Sequence, residues 1–193
     1  MKTILGKLAG SLVALAMTTS LAMAESKITV AVGGGACLCY LPTMLAEQLG
    51  EYKKAGVEIE FRLATNPPCN AHGHDGRYGQ VFRNVLENSL SFSPAHSKIV
   101  LELSREPRNG PFVVTIDDEG PGIPEDNLES IFQRFYSERP TEHFGQHSGL
   151  GLSICRQIME TYGGSISASN RRAPDGRVLG ARFTVRLPAA ESK

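Results

Sequence analysis

The chain has 193 residues, of which 41% are hydrophobic and 21% charged, with a formal net charge of +0. This balance is typical of a globular protein, because disordered chains are less apolar and more highly charged. A neutral chain without tryptophan or an aromatic-rich basic face does not favour nucleic acid as a partner. The length corresponds to about one domain, with room for a fragment of another.

The first 24 residues have the pattern of a secretory signal peptide. Lys2 and Lys7 make the start basic, an apolar run follows, and Ala22 and Ala24 are small residues typical of a cleavage site. The apolar run is shorter than the ~20 residues that a membrane-spanning helix needs. The pattern predicts cleavage after Ala24, export to the periplasm and no membrane span beyond the leader. A mitochondrial-type or merely amphipathic leader is the alternative.

Residues 25–61 predict a short strand–helix–strand unit. Residues 27–32 and 57–61 have the composition of strands, and residues 41–50 are expected to form a helix. The glycine turn between them lacks the third glycine of a dinucleotide-binding motif, because Leu38 stands there. No Lys-Ser/Thr pair completes a P-loop either.

This unit resembles the start of periplasmic substrate-binding proteins of the nitrate, sulfonate and taurine transporter class. The resemblance is carried by residues 28–32, 40–46 and 56–60, together with the leader. It implies a truncated solute-binding component of an ABC transporter. A unit of this size cannot enclose a ligand by itself, because such clefts form between two lobes.

Residues 62–72 contain two consecutive prolines and no periodicity, so they are expected to be a linker. The pattern Cys69-x-x-His72-x-His74 could form a metal site on paper, but a polar junction loop is favoured. The four cysteines include no paired C-x-x-C motif, so neither a disulfide framework nor a zinc site follows.

A helix is predicted over residues 77–92, where apolar residues recur at three- and four-residue spacing. Asn84 and Asn88 are one turn apart and are therefore neighbours on its surface. Amide oxygens placed there can coordinate a hard cation such as Mg²⁺, with phosphates completing the shell. Two ordinary solvent-facing asparagines are the alternative, although asparagine is a weak helix former.

Two strands over residues 99–103 and 111–116 lead into the motif Asp118-x-Gly120-x-Gly122. An aspartate at a strand end can accept a hydrogen bond from the amino group of adenine. The glycines allow backbone angles and a close approach that side chains would block. Alone, this motif would be a commonplace turn.

Residues 124–135 are expected to form a short helix, and the polar residues 136–148 have the composition of a lid. The next helix, over residues 152–162, is opened by Gly149, Leu150 and Gly151, whose free amides suit phosphate oxygens. Strands over residues 165–169 and 181–187 complete the chain.

In this order the motifs resemble the N, G1, F and G2 boxes of the ATP-binding catalytic domain of bacterial sensor histidine kinases. This domain belongs to the wider family that includes gyrase B and Hsp90. The likeness runs from about residue 73 to the end and is greatest to alphaproteobacterial sensor kinases of the ChvG type. The residues that carry it are 73–77, 87–92, 134–140, 144–153 and 180–183.

The resemblance implies an α+β fold, a two-layer α/β sandwich of the GHKL or Bergerat type over residues 73–190, preceded by the strand–helix–strand fragment. It implies ATP and Mg²⁺ as ligands. Asn88 would hold the metal, Asn84 would support the phosphates and Asp118 would read adenine. The nucleotide-binding residues that it implies are Asn84, Asn88, Asp118, Gly120, Gly122, Gly149, Leu150 and Gly151.

Gyrase-like ATPases have a glutamate at the position of Asn84, where it activates water. Asparagine cannot act as a general base, so the resemblance favours phosphoryl transfer to a protein histidine over hydrolysis. His72, His74 and His96 lie in loop-like surroundings and none is expected to be the acceptor. A separate phosphoacceptor histidine domain and a response regulator are therefore the implied partners.

The sequence departs from the family pattern in three respects. Ser91 replaces a basic residue common in the first motif, no strand is expected just before Arg77, and no phosphoacceptor helix is found upstream. The leader also conflicts with the cytoplasmic location implied by the family. Besides an incomplete kinase, a truncated periplasmic solute-binding protein or a non-functional fusion of the two stays open.

Overall fold

The computed structural model describes residues 36–38, 56–66, 69–136 and 149–190. The predicted leader, the glycine turn before Leu38, the helix expected over residues 41–50 and most of the predicted lid lie outside these described residues. All that is described belongs to one compact unit. No helix in the described ranges is long and apolar enough to cross a membrane.

Seven strands and two α-helices are found in the described ranges. The strands are β1 (Ala36–Cys37), β2 (Glu58–Leu63), β3 (Asn70–Ala71), β4 (Lys98–Arg105), β5 (Phe112–Asp117), β6 (Ser165–Arg172) and β7 (Val178–Leu187). The helices are α1 (Asp75–Phe92) and α2 (Gly151–Thr161). Two short 3-10 turns lie between β5 and α2, at Glu125–Asn127 and Ser130–Phe132.

Five strands form the main sheet in the order β2-β4-β5-β7-β6. Strand β2 is parallel to β4, and the other neighbours are antiparallel. Helices α1 and α2 pack together, and their buried residues share one hydrophobic core with alternate residues of the strands. The expected two-layer α/β sandwich is therefore confirmed. The small β1–β3 sheet lies beside it.

Helix α1 forms where the apolar periodicity predicts it. It buries one face consisting of Tyr78, Val81, Phe82, Val85, Leu86 and Ser89. It begins two residues earlier than predicted, because His74 Nδ1 accepts a hydrogen bond from the Gly76 amide at 3.1 Å and caps the first turn. The helix ends at Phe92, as expected.

Two expectations from the sequence are wrong. Strands do precede α1: β3 forms within the predicted linker, and β2 extends into the first two residues of that linker. The helix expected over residues 124–135 is replaced by the two 3-10 turns. Within that segment Phe132 is buried, whereas Phe135 is 76% exposed and has a φ of 65°, which a continuing helix does not allow.

Strand β2 is held to the sheet by ion pairs as well as by its backbone hydrogen bonds to β4. Its register places Glu58 opposite Lys98, and Lys98 Nζ lies 3.1 Å from Glu60 and 3.5 Å from Glu58. Hydrogen bonds from Arg62 and, to a smaller extent, from Lys98 lower the pKa of Glu60 to about 2. The sequence assigns residues 57–61 to the upstream fragment, yet this strand is an edge of the main sheet. The domain boundaries themselves stay predictions.

The described residues near the start of the unit also join the core. The Leu38 side chain is 1% exposed, and its amide donates to the Cys69 carbonyl at 2.8 Å. Val57, just before β2, is buried as well. Residues upstream of position 73 therefore contribute apolar surface to the same core as α1 and the sheet.

We predict that Leu38→Ala lowers the free energy of unfolding by about 2–5 kcal/mol, because it leaves a cavity in a packed core. The matched control is Leu63→Ala, since Leu63 is the last residue of β2 and is 55% exposed. Its effect should stay within about 0.5 kcal/mol. Urea denaturation of the full chain measures both values. Equal effects would show that Leu38 is not part of the core.

Candidate functional site

Asp118 lies directly after β5 and is 3% exposed. Its Oδ1 accepts hydrogen bonds from the amides of Gly120 at 3.0 Å and Ala181 at 2.9 Å. Its own amide donates to the Ala181 carbonyl at 3.1 Å. These contacts fix the carboxyl against β7. Both amide bonds fall on Oδ1 rather than on Oδ2.

The protonation of this carboxyl depends on opposing effects. Burial raises the pKa of Asp118, while the amides of Ala181 and Gly120, the Ser89 hydroxyl and the charge of Arg171 act to lower it. Ser89 is fully buried, and its Oγ makes no hydrogen bond that meets normal geometry within the described part of the chain. Its influence on Asp118 is therefore that of a nearby dipole rather than of a formed hydrogen bond.

The two glycines after Asp118 are required by close packing. A Cβ on Gly120 would lie 3.0 Å from the Phe92 carbonyl oxygen at the end of α1. Gly122 has a φ of +81°, and a Cβ there would lie 2.6 Å from Asn170 Oδ1. Asn170 in turn accepts from the Ile123 amide at 2.8 Å and donates to its carbonyl at 2.6 Å. The turn is thereby clamped to β6.

Asn84 joins the two helices at the other side of the site. Its Nδ2 donates to the carbonyl of Gly151, the first residue of α2, at 3.1 Å. Asn88 lies one turn further along α1 and is half-buried, and its carbonyl accepts from Ser91 Oγ at 2.7 Å. The structure thus brings Asn84 together with the glycine turn that the sequence associates with phosphates. The ligand-binding roles of these residues stay predictions.

Gly149 closes the two ends of the predicted lid onto each other. Its carbonyl accepts a hydrogen bond from the Phe135 amide at 3.1 Å. Its φ is +65°, and a Cβ there would lie 2.9 Å from the Tyr136 carbonyl oxygen. The residues at the two ends of the predicted lid, Tyr136 and Gly149, therefore lie next to each other at the start of α2.

Helix α2 is also tied to the second 3-10 turn. Arg156 Nη2 lies 2.9 Å from Glu129 Oε2, and its guanidinium carbon is 4.3 Å from the centre of the Phe132 ring. Surface ion pairs of this kind contribute little alone, but the cation–π contact adds to them. The middle of α2 and the segment before the lid are thus held to one another.

Several residues that shape the site carry no signal in the sequence. Asn170 and Arg171 read as polar positions of an edge strand, and Ser89 reads as a small residue on the buried face of α1. Gly180 lies within a stretch that carries the resemblance, but the residues around it in the sequence do not indicate that it packs against Asp118. A Cβ on Gly180 would lie 2.0 Å from the Asp118 carbonyl oxygen.

The cysteines do not form a second site in the described part of the chain. Cys69 and Cys155 are free and buried, and burial raises the pKa of Cys155 to about 12, which keeps it a thiol at neutral pH. No group of three His, Cys, Asp or Glu side chains among the described residues could hold a metal ion. Cys69, His72 and His74 are therefore not assembled as ligands.

Together these groups make a site with a buried carboxyl acceptor, two side-chain amides and the backbone at the start of α2. A buried carboxylate lies at one end, bare glycine backbone follows, and the amides at the start of α2 lie at the other end. An acceptor beside glycines and a helix N-terminus suits a ligand with an amino group and an anionic tail. A nucleoside phosphate has both.

Comparisons with known proteins point the same way. A family model described as histidine kinase-, DNA gyrase B- and HSP90-like ATPase matches residues 73–191. The sensor protein ChvG of Agrobacterium fabrum is 45% identical over 142 residues, which cover 72% of this chain and 22% of the relative. ChvG of Rhizobium meliloti is 47% identical over 119 residues, which cover 61% of this chain and 20% of the relative. The chain thus spans about a fifth of these relatives.

Solved structures agree on the fold. The catalytic domain of the histidine kinase ThkA is 25% identical with a TM-score of 0.66, covering 81% of this chain and 96% of that domain. The mycobacterial sensor histidine kinase MprB has a TM-score of 0.62 at 23% identity, and the match covers 78% of this chain and 96% of the MprB chain. The second likeness shows the fold alone.

The extent of these matches also bears on the upstream segment. Residues 73–193 are less than two thirds of the chain, whereas the ThkA domain covers 81% of it. The match must therefore reach upstream of residue 73, into the region that supplies Leu38 and β2. These comparisons give no support to the resemblance of residues 1–61 to a substrate-binding protein.

We predict that Gly180→Ala lowers the free energy of unfolding by roughly 3 kcal/mol or more, because the new Cβ must displace the backbone of Asp118. Gly176→Ala is the matched control on the same hairpin. Gly176 has a φ of +85°, and a Cβ there would meet nothing within 4 Å, so only local strain of about 1 kcal/mol is expected. Chemical denaturation compares them, and equal losses would contradict the close approach at Gly180.

Proposed function

The chain belongs to the family of histidine kinase-, DNA gyrase B- and HSP90-like ATPases, and we propose that it binds Mg²⁺-ATP and transfers the γ-phosphoryl group to a histidine of a protein partner. Domains of this family bind ATP. The observation that carries the proposal is the buried Asp118 carboxyl, fixed by two amides through Oδ1. The transfer step, the metal and the partner are our inference.

Asp118 suits the recognition of adenine. Its Oδ1 is occupied by the Gly120 and Ala181 amides, which leaves Oδ2 to accept from the ligand. The exocyclic amino group of adenine is a donor, whereas guanine has a carbonyl oxygen at that position. A buried acceptor without its donor is costly, so the site should discriminate strongly between the two bases.

The described residues that we assign to the phosphate end of the site are neutral groups. The amides of Gly149, Leu150 and Gly151 lie at the start of α2, an 11-residue helix whose dipole favours anions. Asn88 would offer an amide oxygen to Mg²⁺, a ligand type that this hard cation accepts. The described residues provide no carboxylate cluster there, so the phosphates would supply the charge. When bound, the metal neutralises charge on the phosphates.

Asn84 favours transfer over hydrolysis. A general base must accept a proton from water, and a side-chain amide cannot do so near neutral pH. Asn84 instead donates its Nδ2 hydrogen to the Gly151 carbonyl, so it acts on the glycine turn. Phosphoryl transfer relies mainly on positioning and charge neutralisation, which this arrangement can supply without a base for water.

A kinase domain of this kind needs an acceptor histidine and a response regulator. ThkA has been solved in complex with the response regulator TrrA, and its fold matches this chain with a TM-score of 0.64 at 23% identity. For this chain we propose partners of the same two classes. ATP is a cytosolic ligand, so we also propose that the domain acts in the cytoplasm, in conflict with the predicted export signal.

We predict that the full chain binds Mg²⁺-ATP and that Asp118→Asn raises the Kd roughly tenfold or more, because a charged acceptor is lost. Asn88→Ala should weaken binding only when Mg²⁺ is present. The matched controls are Asp126→Asn and Asn66→Ala, both at exposed positions. Isothermal titration calorimetry with ATP and GTP measures the affinities. Equal, negligible binding in all variants and the native chain would refute the proposal.

A second prediction separates transfer from hydrolysis. Incubated with γ-labelled ATP, the chain should label a purified phosphoacceptor histidine domain from a related sensor kinase. It should release inorganic phosphate far more slowly in the absence of that domain. The acid-labile phosphohistidine is detected by autoradiography with and without acid treatment. Rapid phosphate release without labelling would indicate an ATPase instead.

A further inference from the structure

We propose that Arg171 is a positioning residue of the base site, which holds Asp118 from the outer face of the sheet and keeps its carboxylate aimed at the base. This inference rests on the proposed function, because it assigns a role toward the same nucleotide. Arg171 lies at the end of β6, 53 residues away from Asp118 along the chain. Its role is visible only in the folded structure.

The first observation is a charge cluster behind the site. Asp117 is the last residue of β5 and directly precedes Asp118. The Asp117 side chain is 12% exposed and receives both Nε and Nη2 of Arg182 at 2.6 Å. Arg171 Nε lies 3.3 Å from the same carboxylate. Two guanidinium groups therefore share one carboxylate.

The second observation is a direct bond to the base acceptor's backbone. Arg171 Nη1 donates to the Asp118 carbonyl at 2.8 Å. The same guanidinium thus holds the side chain of residue 117 and the backbone of residue 118. Because a planar guanidinium presents its donors in a fixed fork, it fixes the two groups relative to each other.

The strand geometry makes this reach possible. The β6–β7 ladder shifts register between Arg171 and Arg172, and Arg171 pairs with Gly180. Gly180 has a φ of +145° and lies directly against the Asp118 carbonyl, where a Cβ would approach to 2.0 Å. The irregular register and the missing side chain allow the carbonyl and the guanidinium to meet.

The charges around Asp118 favour its ionised form. Arg171 faces it from β6, Arg182 from β7 through Asp117, and α1 contributes the uncharged Ser89 hydroxyl. Glu119 is next in sequence, but its Oε2 accepts the Lys98 amide at 3.0 Å, toward β4. Arg182 is paired with Asp117 and also interacts with Glu102 of β4, so the cation that acts directly on Asp118 is Arg171. This charge opposes the increase in the pKa of Asp118 that burial causes.

An ionised Asp118 is the better acceptor for the amino group of adenine. Protonation puts a donor on the carboxyl and weakens that bond, so nucleotide affinity should fall as the pH drops through the pKa of Asp118. Removing the Arg171 charge raises that pKa. The affinity of an Arg171 variant should therefore begin to fall at a higher pH than that of the native chain.

The test is calorimetric titration of the full chain with Mg²⁺-ATP between pH 5 and pH 8. We expect Arg171→Gln to raise the Kd roughly tenfold at neutral pH, as on loss of a charge-assisted hydrogen bond, and to move the acid midpoint of binding upward. Arg186→Gln is the matched control, because Arg186 is on β7 and pairs with Glu106 at 2.9 Å instead. ATP itself titrates in this range, so each midpoint is read relative to this control.

The variant Arg171→Lys keeps the charge but cannot make both contacts. We expect it to retain the native midpoint and to weaken binding by about threefold, less than the glutamine variant. For Arg171→Gln, in contrast, weaker binding at every pH without a shift of the midpoint would indicate a purely structural role and would overturn the inference. If circular dichroism shows that Arg171→Gln is unfolded, the lysine variant is the test. An Arg171→Lys variant that binds Mg²⁺-ATP with the affinity of the native chain overturns the inference.

Failure of this inference is distinguishable from failure of the proposed function. If the native chain does not bind ATP, both are overturned. If the native chain and Arg186→Gln bind ATP, and Arg171→Gln matches them in affinity and midpoint, only the role of Arg171 is overturned.

Discussion

Burying the Asp118 carboxyl between α1 and β7 costs free energy unless the group is hydrogen-bonded, and the surrounding structure meets that cost group by group. The amides of Gly120 and Ala181 bind Oδ1, and the charge behind the sheet favours the ionised form. The glycines at 120 and 180 allow the neighbouring backbone to come close enough. A site arranged in this way presents one acceptor in one orientation, which is what recognition of a single base requires.

The two ends of the site are held by different parts of the fold. The acceptor end depends on the sheet, where β5, β6 and β7 meet. The phosphate end depends on the helices, where Asn84 ties α1 to the start of α2. Because α1 packs on the same core as the strands, the distance between the two ends is set by core packing. Residues upstream of position 73 belong to that core through Leu38 and β2, so they help to set the site although no ligand-binding role is predicted for them.

Local patterns were enough to predict α1 and the motif around Asp118, since these depend on periodicity and on turn chemistry, whereas the sandwich was implied by the family resemblance. They were not enough to assign β2. Its alternation predicts a strand but not the sheet that it joins, because pairing depends on distant residues such as Lys98. Strand β3 is only two residues long and leaves no periodic signal. Arg171 and Asn170 could not be found in this way, because their partners lie 53 and 47 residues away.

Asn84 shows how one position can serve both structure and reaction type. Its amide bridges two helices by donating to the Gly151 carbonyl, which a carboxylate cannot do, because an ionised carboxylate only accepts. A glutamate at this position would lose the bridge and would bring an acceptor close to a carbonyl oxygen. The bond that orders the glycine turn and the absence of a general base therefore have the same cause. Under the proposed function, the order of the phosphate end and the lack of a base for water are both consequences of an amide at position 84.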